Sequence, residues 1–153
     1  MWKKDTNKSM YQRLKDLRED KDLTQKEVAE LIGKSRSGYS NYESGACDVP
    51  TNVLIFLAEF YGTSVDYMLG ETHQRTRHKL VDRSGNRYKE LRKKHQMSQI
   101  EIAERIGMSQ IGYSKYETGR CGTPTTILIK LARIYNVSID YLLGMTDVEE
   151  RYE

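Results

Sequence analysis

The chain is poor in the residues that usually mark a special chemistry: its 153 positions hold two cysteines, two prolines, one tryptophan and three histidines. Cys47 and Cys121 lie 74 positions apart, and neither has a second thiol or a histidine at metal-ligand spacing. This excludes a disulfide scaffold and a zinc module and fits reduced thiols. Long apolar runs are missing as well. The longest, Val53 to Ala58 and Ile127 to Ile129, fall far short of the roughly 20 residues of a membrane helix. The charged start Met1-Trp2-Lys3-Lys4-Asp5 leads into no apolar stretch with a small-residue cleavage site, so no secretory signal is read and a cytoplasmic location is expected. No nucleophile, base and orienting residue recur together, and no glycine-rich phosphate loop appears; Ser37 and Ser40 lack a histidine partner. The reading is therefore not an enzyme, with no cofactor, no metal and no small-molecule ligand indicated.

With 37% hydrophobic and 31% charged residues, the chain reads as one ordinary domain or two very small ones, neither disordered nor collagen-like. Its net charge of +3 is unevenly spread: residues 1–72 sum to −2 and residues 73–153 to +5. Within the basic half, His73 to Arg87 carries five positive charges against one negative. An anionic partner fits that asymmetry.

The strongest signal is internal repetition. Leu17 to Thr72 aligns without a gap onto Leu91 to Thr146, with 29 of 56 positions identical. The shared positions include Gln25/Gln99, Ala29/Ala103, Gly33/Gly107, Tyr39/Tyr113, Glu43/Glu117, Gly45/Gly119, Pro50/Pro124, Asp66/Asp140 and Gly70/Gly144. Each copy is expected to fold as its own domain, near the lower size limit for a self-supporting core.

One copy reads as five short helices. Met10 to Asp20 is amphipathic through Leu14 and Leu17. Thr24 caps Gln25 to Ile32 in a capping box with Glu27, and Gly33 stops it. Ser35 caps Arg36 to Ser44, which ends at Gly45; Pro50 opens a fourth helix to about Tyr61; Ser64 caps a short turn through Leu69, closed by Gly70. The second copy repeats this with Ser98 and Glu101, Gly107, Ser109, Gly119, Pro124, Ser138 and Gly144. No segment alternates like a strand, so the expectation is all-α.

Leu23 to Gly45 encodes two short helices with a tight turn between them, the helix-turn-helix geometry. A small residue, Ala29, stands where the helices cross, and Val28, Ile32, Tyr39 and Tyr42 share the core beneath the turn. Arg36, Ser37, Ser40, Asn41 and Ser44 are left facing solvent. That face suits a DNA major groove: Arg36 can donate twice to guanine and Asn41 can pair with adenine. The second copy carries Gln110, Ile111, Ser114, Lys115 and Thr118 there, with Gln110 suited to adenine, Ile111 to a thymine methyl, and Lys115 to guanine or phosphate. The copies are thus expected to read unlike half-sites. Gln25 and Gln99, at helix amino termini, are assigned to backbone phosphates, together with Lys34, Ser35, Ser109 and Arg120.

Both copies resemble the Cro and phage-repressor type of helix-turn-helix domain, the Xre-like family. The resemblance rests on Leu23-Thr24-Gln25-Lys26-Glu27-Val28-Ala29 with Tyr42-Glu43-Ser44-Gly45, and on Met97-Ser98-Gln99-Ile100-Glu101-Ile102-Ala103 with Tyr116-Glu117-Thr118-Gly119. The closing Val65 to Gly70 and Ile139 to Gly144 match as well, so about 125 of the 153 residues are covered. It implies two tandem five-helix, lambda-repressor-like domains joined by a basic linker. It also implies a sequence-specific regulator of transcription, a repressor, whose third helix enters the major groove of double-stranded DNA. Arg18 with Glu43, and Arg92 with Glu117, stand where members of the family commonly form a structural pair. The sequence departs from the pattern at Gly38 and Gly112 inside the reading helices, read either as room for close approach or as local tolerance, and at the loop Ala46-Cys47-Asp48-Val49, which lacks basic residues.

The boundaries expected are 1–72 for the first domain with an arm over 1–9, 73–85 for the linker, 86–146 for the second domain and 147–153 for an acidic tail. The arm, with Trp2, Lys3, Lys4 and Lys8, is either a groove-reaching segment or a loose terminus. Tyr39, Tyr42, Tyr113 and Tyr116 are read as core rather than as a base-stacking platform. Cys47 and Cys121 are read as ordinary semi-buried thiols rather than a redox switch, and His73, His78 and His95 as solvated. The linker either tracks phosphates or serves as a spacer. Its 13 residues span at most about 43 to 47 Å when extended, enough for major-groove entries about 34 Å apart. The leading expectation is two linked heads on one bipartite operator. The alternative keeps DNA binding to the second domain and makes the first a module for dimerisation or protein interaction, of antitoxin or anti-repressor type; a homodimer stays open.

Overall fold

The computed structural model describes residues 6–81 and 85–152, with side chains from Gln12 onward. The arm residues Trp2, Lys3 and Lys4 lie outside the described residues, as does the Lys8 side chain. Among the described residues all regular structure is helical, and none of the helices is long and apolar enough to cross a membrane. The chain falls into two compact units, 1–76 and 77–153.

The first unit contains α1 (Thr6–Asp20), α2 (Gln25–Leu31), α3 (Arg36–Ser44), α4 (Thr51–Tyr61) and α5 (Val65–Met68). Helix α1 starts four residues ahead of the expected Met10, at Thr6. Thr24 and Glu27 form a reciprocal capping box on α2, Ser35 accepts from the Gly38 N–H at the start of α3, and Ser64 accepts from the Tyr67 N–H at the start of α5. Gly33 and Gly45 take φ of +70° and +81°, which ends α2 and α3 abruptly and makes the turn between and after them tight. Pro50 stands just before α4, with no side-chain cap of its own.

The second unit repeats this order as α6 (Tyr88–Lys94), α7 (Gln99–Ile106), α8 (Gln110–Glu117), α9 (Thr125–Tyr135) and α10 (Ile139–Leu142). Ser98 with Glu101, Ser109 and Ser138 cap α7, α8 and α10 as their counterparts do. In the first core Leu17, Val28, Tyr39, Leu54, Leu57, Val65 and Met68 are fully enclosed; in the second, Leu91, Ile102, Tyr113, Leu128, Leu131 and Ile139 are. Burying one such leucine or isoleucine contributes about 1.5–3 kcal/mol, the main force holding helices this short in place.

Each unit also closes on itself through an arginine, Arg13 within α1 and Arg87 just before α6. Arg13 donates through Nη1 to the carbonyls of Tyr67 (2.6 Å) and Thr72, and its guanidinium lies 4.3 Å from the Tyr67 ring centre. Arg87 does the same with the carbonyls of Tyr141 and Thr146, both at 2.7 Å, and lies 4.1 Å from the Tyr141 ring centre. These contacts tie the last turn of each unit back to its first helix.

The described residues 73–81 of the basic stretch are anchored to the folded units. Arg13 reaches His73 Nδ1, Arg75 pairs with Asp20 at 2.9 Å, and the Arg75 carbonyl accepts from Thr63 Oγ1 at 2.9 Å, all within the first unit. From the other end, the His78 N–H donates to Tyr152 Oη (2.9 Å), Lys79 accepts from Thr146 Oγ1 (2.8 Å), and the Val81 N–H donates to the Met145 carbonyl (3.0 Å). The step between the Arg75 and His78 anchors is short, because backbone polar groups in an extended segment seek partners wherever a folded surface offers them. His78, expected to be solvated, stacks on Tyr152 with ring centres 4.2 Å apart and its Nε2 buried. The acidic tail is held as well, by Arg87 to Asp147 and Lys94 to Glu149, each at 2.7 Å.

Candidate nucleic-acid interface

The outward side of α3 is built by what its inward side must do. Tyr39 and Tyr42 are buried, with rings edge-to-face at 6.4 Å, so they belong to the core and offer no stacking platform. Helical periodicity then turns Arg36, Ser37, Asn41 and Ser44 to solvent, with Ser40 half-exposed between them. In α8, Tyr113 is fully buried and Tyr116 half-buried, while Gln110, Ile111, Lys115 and Thr118 are exposed. Ile111 is 71% exposed.

These residues converge differently in the two units. Gln110, Ile111, Ser114, Lys115, Thr118 and Arg120 line one shallow depression of about 270 Å³. In the first unit Arg36 instead joins Arg18, Thr24, Gln25 and Lys26 around a concavity at the amino end of α2. The glutamines at the two equivalent helix starts both bond the glutamate of their unit's ion pair, Gln25 to Glu43 and Gln99 to Glu117, and Gln99 has a second partner. Gln99 Oε1 accepts from Gln110 Nε2 at 2.9 Å, which joins the start of α7 to the start of the reading helix. Gln25 Nε2 donates to Glu43 Oε2 at 3.0 Å, so that amide is turned toward the ion pair described next rather than outward to a phosphate. Lys34 is exposed, and Arg120 is exposed beside α8 where the first unit has Ala46. Ser35 and Ser109 spend a lone pair on the caps of α3 and α8.

Beneath each of α3 and α8 lies a bidentate ion pair. Arg18 Nε and Nη2 donate to Glu43 at 2.6 and 3.3 Å, and Arg18 Nη1 donates to the Leu23 carbonyl at 2.8 Å. Arg92 Nε and Nη2 donate to Glu117 at 3.1 and 2.9 Å, and Nη1 to the Met97 carbonyl at 3.0 Å. One guanidinium therefore joins the first helix of its unit, the loop before the second helix and the end of the reading helix. Burial pushes the Glu43 carboxyl up, but hydrogen bonds from Arg18, Gln25 and Tyr39 outweigh it and hold the group below its ordinary value; Arg18 is raised in turn by its bond to Glu43. These pairs tie the ends of α3 and α8 to the first helix of their units.

Gly38 and Gly112 occupy the third position of α3 and α8, with ordinary helical φ. A Cβ at Gly38 would stand 3.2 Å from Ser35 Oγ; at Gly112 it would meet Met108 Cε at 2.9 Å and Ser109 Oγ at 3.1 Å. Both glycines thus leave room for the cap hydroxyl that their own N–H groups bind. No other helix packs against them at that distance. Cys47 and Cys121 are free and exposed rather than semi-buried, and their N–H groups donate back to the Asn41 and Lys115 carbonyls of α3 and α8.

Sequence reasoning missed Arg13 and Arg87, which lie just ahead of the aligned block. The signal available was their repetition at the same offset of 74, together with Tyr67 and Tyr141.

Comparison with known proteins agrees with this arrangement. The helix-turn-helix family pattern matches the chain twice, over residues 14–68 and 89–142. An uncharacterized HTH-type transcriptional regulator, YobD of Bacillus subtilis (strain 168), is 43% identical over 61 residues, 40% of this chain and 54% of that protein. The HTH-type transcriptional regulator ImmR of the same strain is 41% identical over 69 residues, 45% of this chain and 54% of ImmR. The cryptic phage CTXphi transcriptional repressor RstR of Vibrio cholerae is 37% identical over 76 residues, 49% of this chain and 63% of RstR. The chain spans about half the length of the curated relatives it matches. No solved structure matches.

Proposed function

The chain belongs to the helix-turn-helix family, whose pattern it carries twice, and from that premise we propose that it is a sequence-specific DNA-binding regulator of transcription, acting as a repressor with both heads on one bipartite operator. The observation that carries this reading is the pair of solvent-facing surfaces on α3 and α8, with Arg36 and Asn41 on one and Gln110, Ile111 and Lys115 on the other. Arg36 has the fork to engage guanine, Asn41 and Gln110 the amides to engage adenine, and Ile111 a bare apolar surface for a thymine methyl. Ser37, Ser40 and Ser114 complete the two faces. Lys34, Ser35, Ser109, Arg120 and Gln99 are assigned to phosphates, which set position without reading sequence. Gln25 joins that set by exchanging its bond to Glu43 for a phosphate, and Gln99 by exchanging its bond to Glu117. Repression fits the printed name of RstR.

Selection of duplexes from a random pool should return a motif with two unlike halves. Within it, Arg36→Ala should weaken binding by about 1–3 kcal/mol and relax the preference at one base pair. A motif of a single half, with binding indifferent to Arg36→Ala, would sink the two-headed reading.

A second reading is favoured by one specific difference between the units. The first exposes Leu31 (46%) and Phe56 (41%), with Phe56 and Phe60 stacked at 6.2 Å, where the second carries Arg105, Lys130 and Ile134. On this reading the first unit binds protein, either a second copy of the chain or another partner, and the second unit alone holds DNA. The antitoxin PezA of Streptococcus pneumoniae, 36% identical over 58 residues, is compatible with it. Phe56→Glu should then dissociate the assembly in ultracentrifugation and leave the affinity of a single half-site unchanged.

A further inference from the structure

The way the basic stretch is anchored limits how far apart two reading heads can work. In the first unit the Arg75 carbonyl is held on Thr63, and in the second the His78 N–H is held on Tyr152. Three peptide steps separate them, a reach of at most about 11 Å. Beyond His78 the chain stays bound: Lys79 to Thr146, Val81 to Met145 and, after the residues outside the description, the Arg87 N–H to the Leu142 carbonyl at 2.9 Å. Tyr152 holds the near end of this strap. Its ring stacks on His78, its hydroxyl accepts from the His78 N–H, and the same hydroxyl donates to Asp140 Oδ2 at 2.9 Å, the acid of the first turn of α10. The anchor is thus built into the folded core of the second unit.

We propose that the docked strap Arg77–Val81, locked by Tyr152, acts as a spacing ruler that restricts a bipartite operator to half-sites one helical turn apart. The proposal rests on the two-headed reading above. A unit of about 76 residues has a radius of gyration near 11 Å, hence a radius of roughly 15 Å. With an 11 Å tether, the centres of two such bodies can separate by at most about 40 Å. One helical turn between half-sites, about 34–36 Å, lies within that reach, and two turns, near 70 Å, lie outside it. Were 76–86 free, the tether alone would reach about 40 Å and two-turn sites would come into range. The docking of five residues therefore decides which operators gain from two contacts at once.

The test uses the full chain and three duplexes carrying the selected half-sites at one turn, one and a half turns and two turns. The wild-type protein should bind the one-turn duplex at least 100-fold more tightly than the two-turn duplex, whose affinity should equal that of a single half-site. Inserting 20 Gly/Ser residues between Thr76 and Arg77 lengthens the tether without touching either unit. It should bring the two-turn duplex to within about tenfold of the one-turn duplex. Wild-type binding indifferent to spacing, or an insertion that leaves the preference unchanged, overturns the ruler while the two-headed reading stands. Footprints over one half-site on every duplex overturn that reading, and the ruler with it. An independent measurement needs no DNA: amide exchange should show the His78 and Val81 N–H protected, with Tyr152→Phe keeping the stacked ring and the protection at Val81. Exchange of both amides at the rate of an unstructured chain in the wild-type protein overturns the docked strap.

Discussion

Glu117→Ala is expected to destabilise the second unit by about 3–5 kcal/mol, and calorimetry should show that unit melting early while the first melts where it did before. The Glu117 side chain is only 4% exposed and that of Arg92 12%. Removing the carboxylate strands a guanidinium that keeps one carbonyl, that of Met97, as its partner. A unit of this size has roughly 4–11 kcal/mol to lose, so the loss consumes much of it. The damage comes from leaving one charge alone rather than from the worth of the pair. Arg92→Met combined with Glu117→Leu should accordingly restore most of the stability. The pH dependence follows from the same geometry. Burial pushes the Glu117 carboxyl up, and hydrogen bonding led by Arg92 outweighs it and holds the group below its ordinary value. A folded-state pKa below the unfolded one means the contribution is complete above the ordinary carboxylate range and is lost as pH falls through the depressed value. Wild-type stability should therefore drop as pH falls below about 4.5, and Glu117→Gln should flatten that acid limb. A Glu117→Ala protein that melts within 1 kcal/mol of wild type would show that the pair does not anchor the reading helix.

What the sequence made legible was whatever is decided locally or written twice. Thr24 with Glu27 and Ser98 with Glu101 announce capping boxes because the bonds close within one turn. Tyr39 and Tyr113 read as core because the helical period puts them opposite the polar face. The start of α1 was not legible, since Thr6-Asn7-Lys8-Ser9 carries no apolar period to mark it. Arg13 and Arg87 were marked only by their repetition at an offset of 74; their role was not legible, since their partners are backbone carbonyls more than 50 positions away, available on any residue type. Gln25 shows a third kind of limit: its position at a helix start was legible, but the choice between a phosphate and Glu43 is a rotamer set by tertiary neighbours. The strap is the largest gap. An extended segment has no period of its own, and Val81 and His78 gain their anchors only once Met145 and Tyr152 are folded.

The other large effect lies in the DNA. A duplex with both half-sites one turn apart should bind this chain 10²- to 10⁴-fold more tightly than a duplex with either half alone. A single module of this kind buries only about 600–1,000 Å² on DNA, and the first unit, with its acidic balance, has the weaker phosphate attraction of the two. Neither unit alone is expected to hold a site at physiological salt. Once one head is seated, the other searches within a volume set by a three-step tether, so its encounter is effectively intramolecular and the ordering cost of the complex is met once. Salt should expose the same logic. The paired site should show the steeper fall of affinity with ionic strength, because its contacts release counterions from two sets of phosphates at once, including those met by Lys34 and Arg120. Titration by fluorescence anisotropy at three salt concentrations measures both slopes. Equal affinities for the paired and the single second-unit site, with equal slopes, would remove the first unit from the DNA and leave its exposed Phe56 face as its working surface.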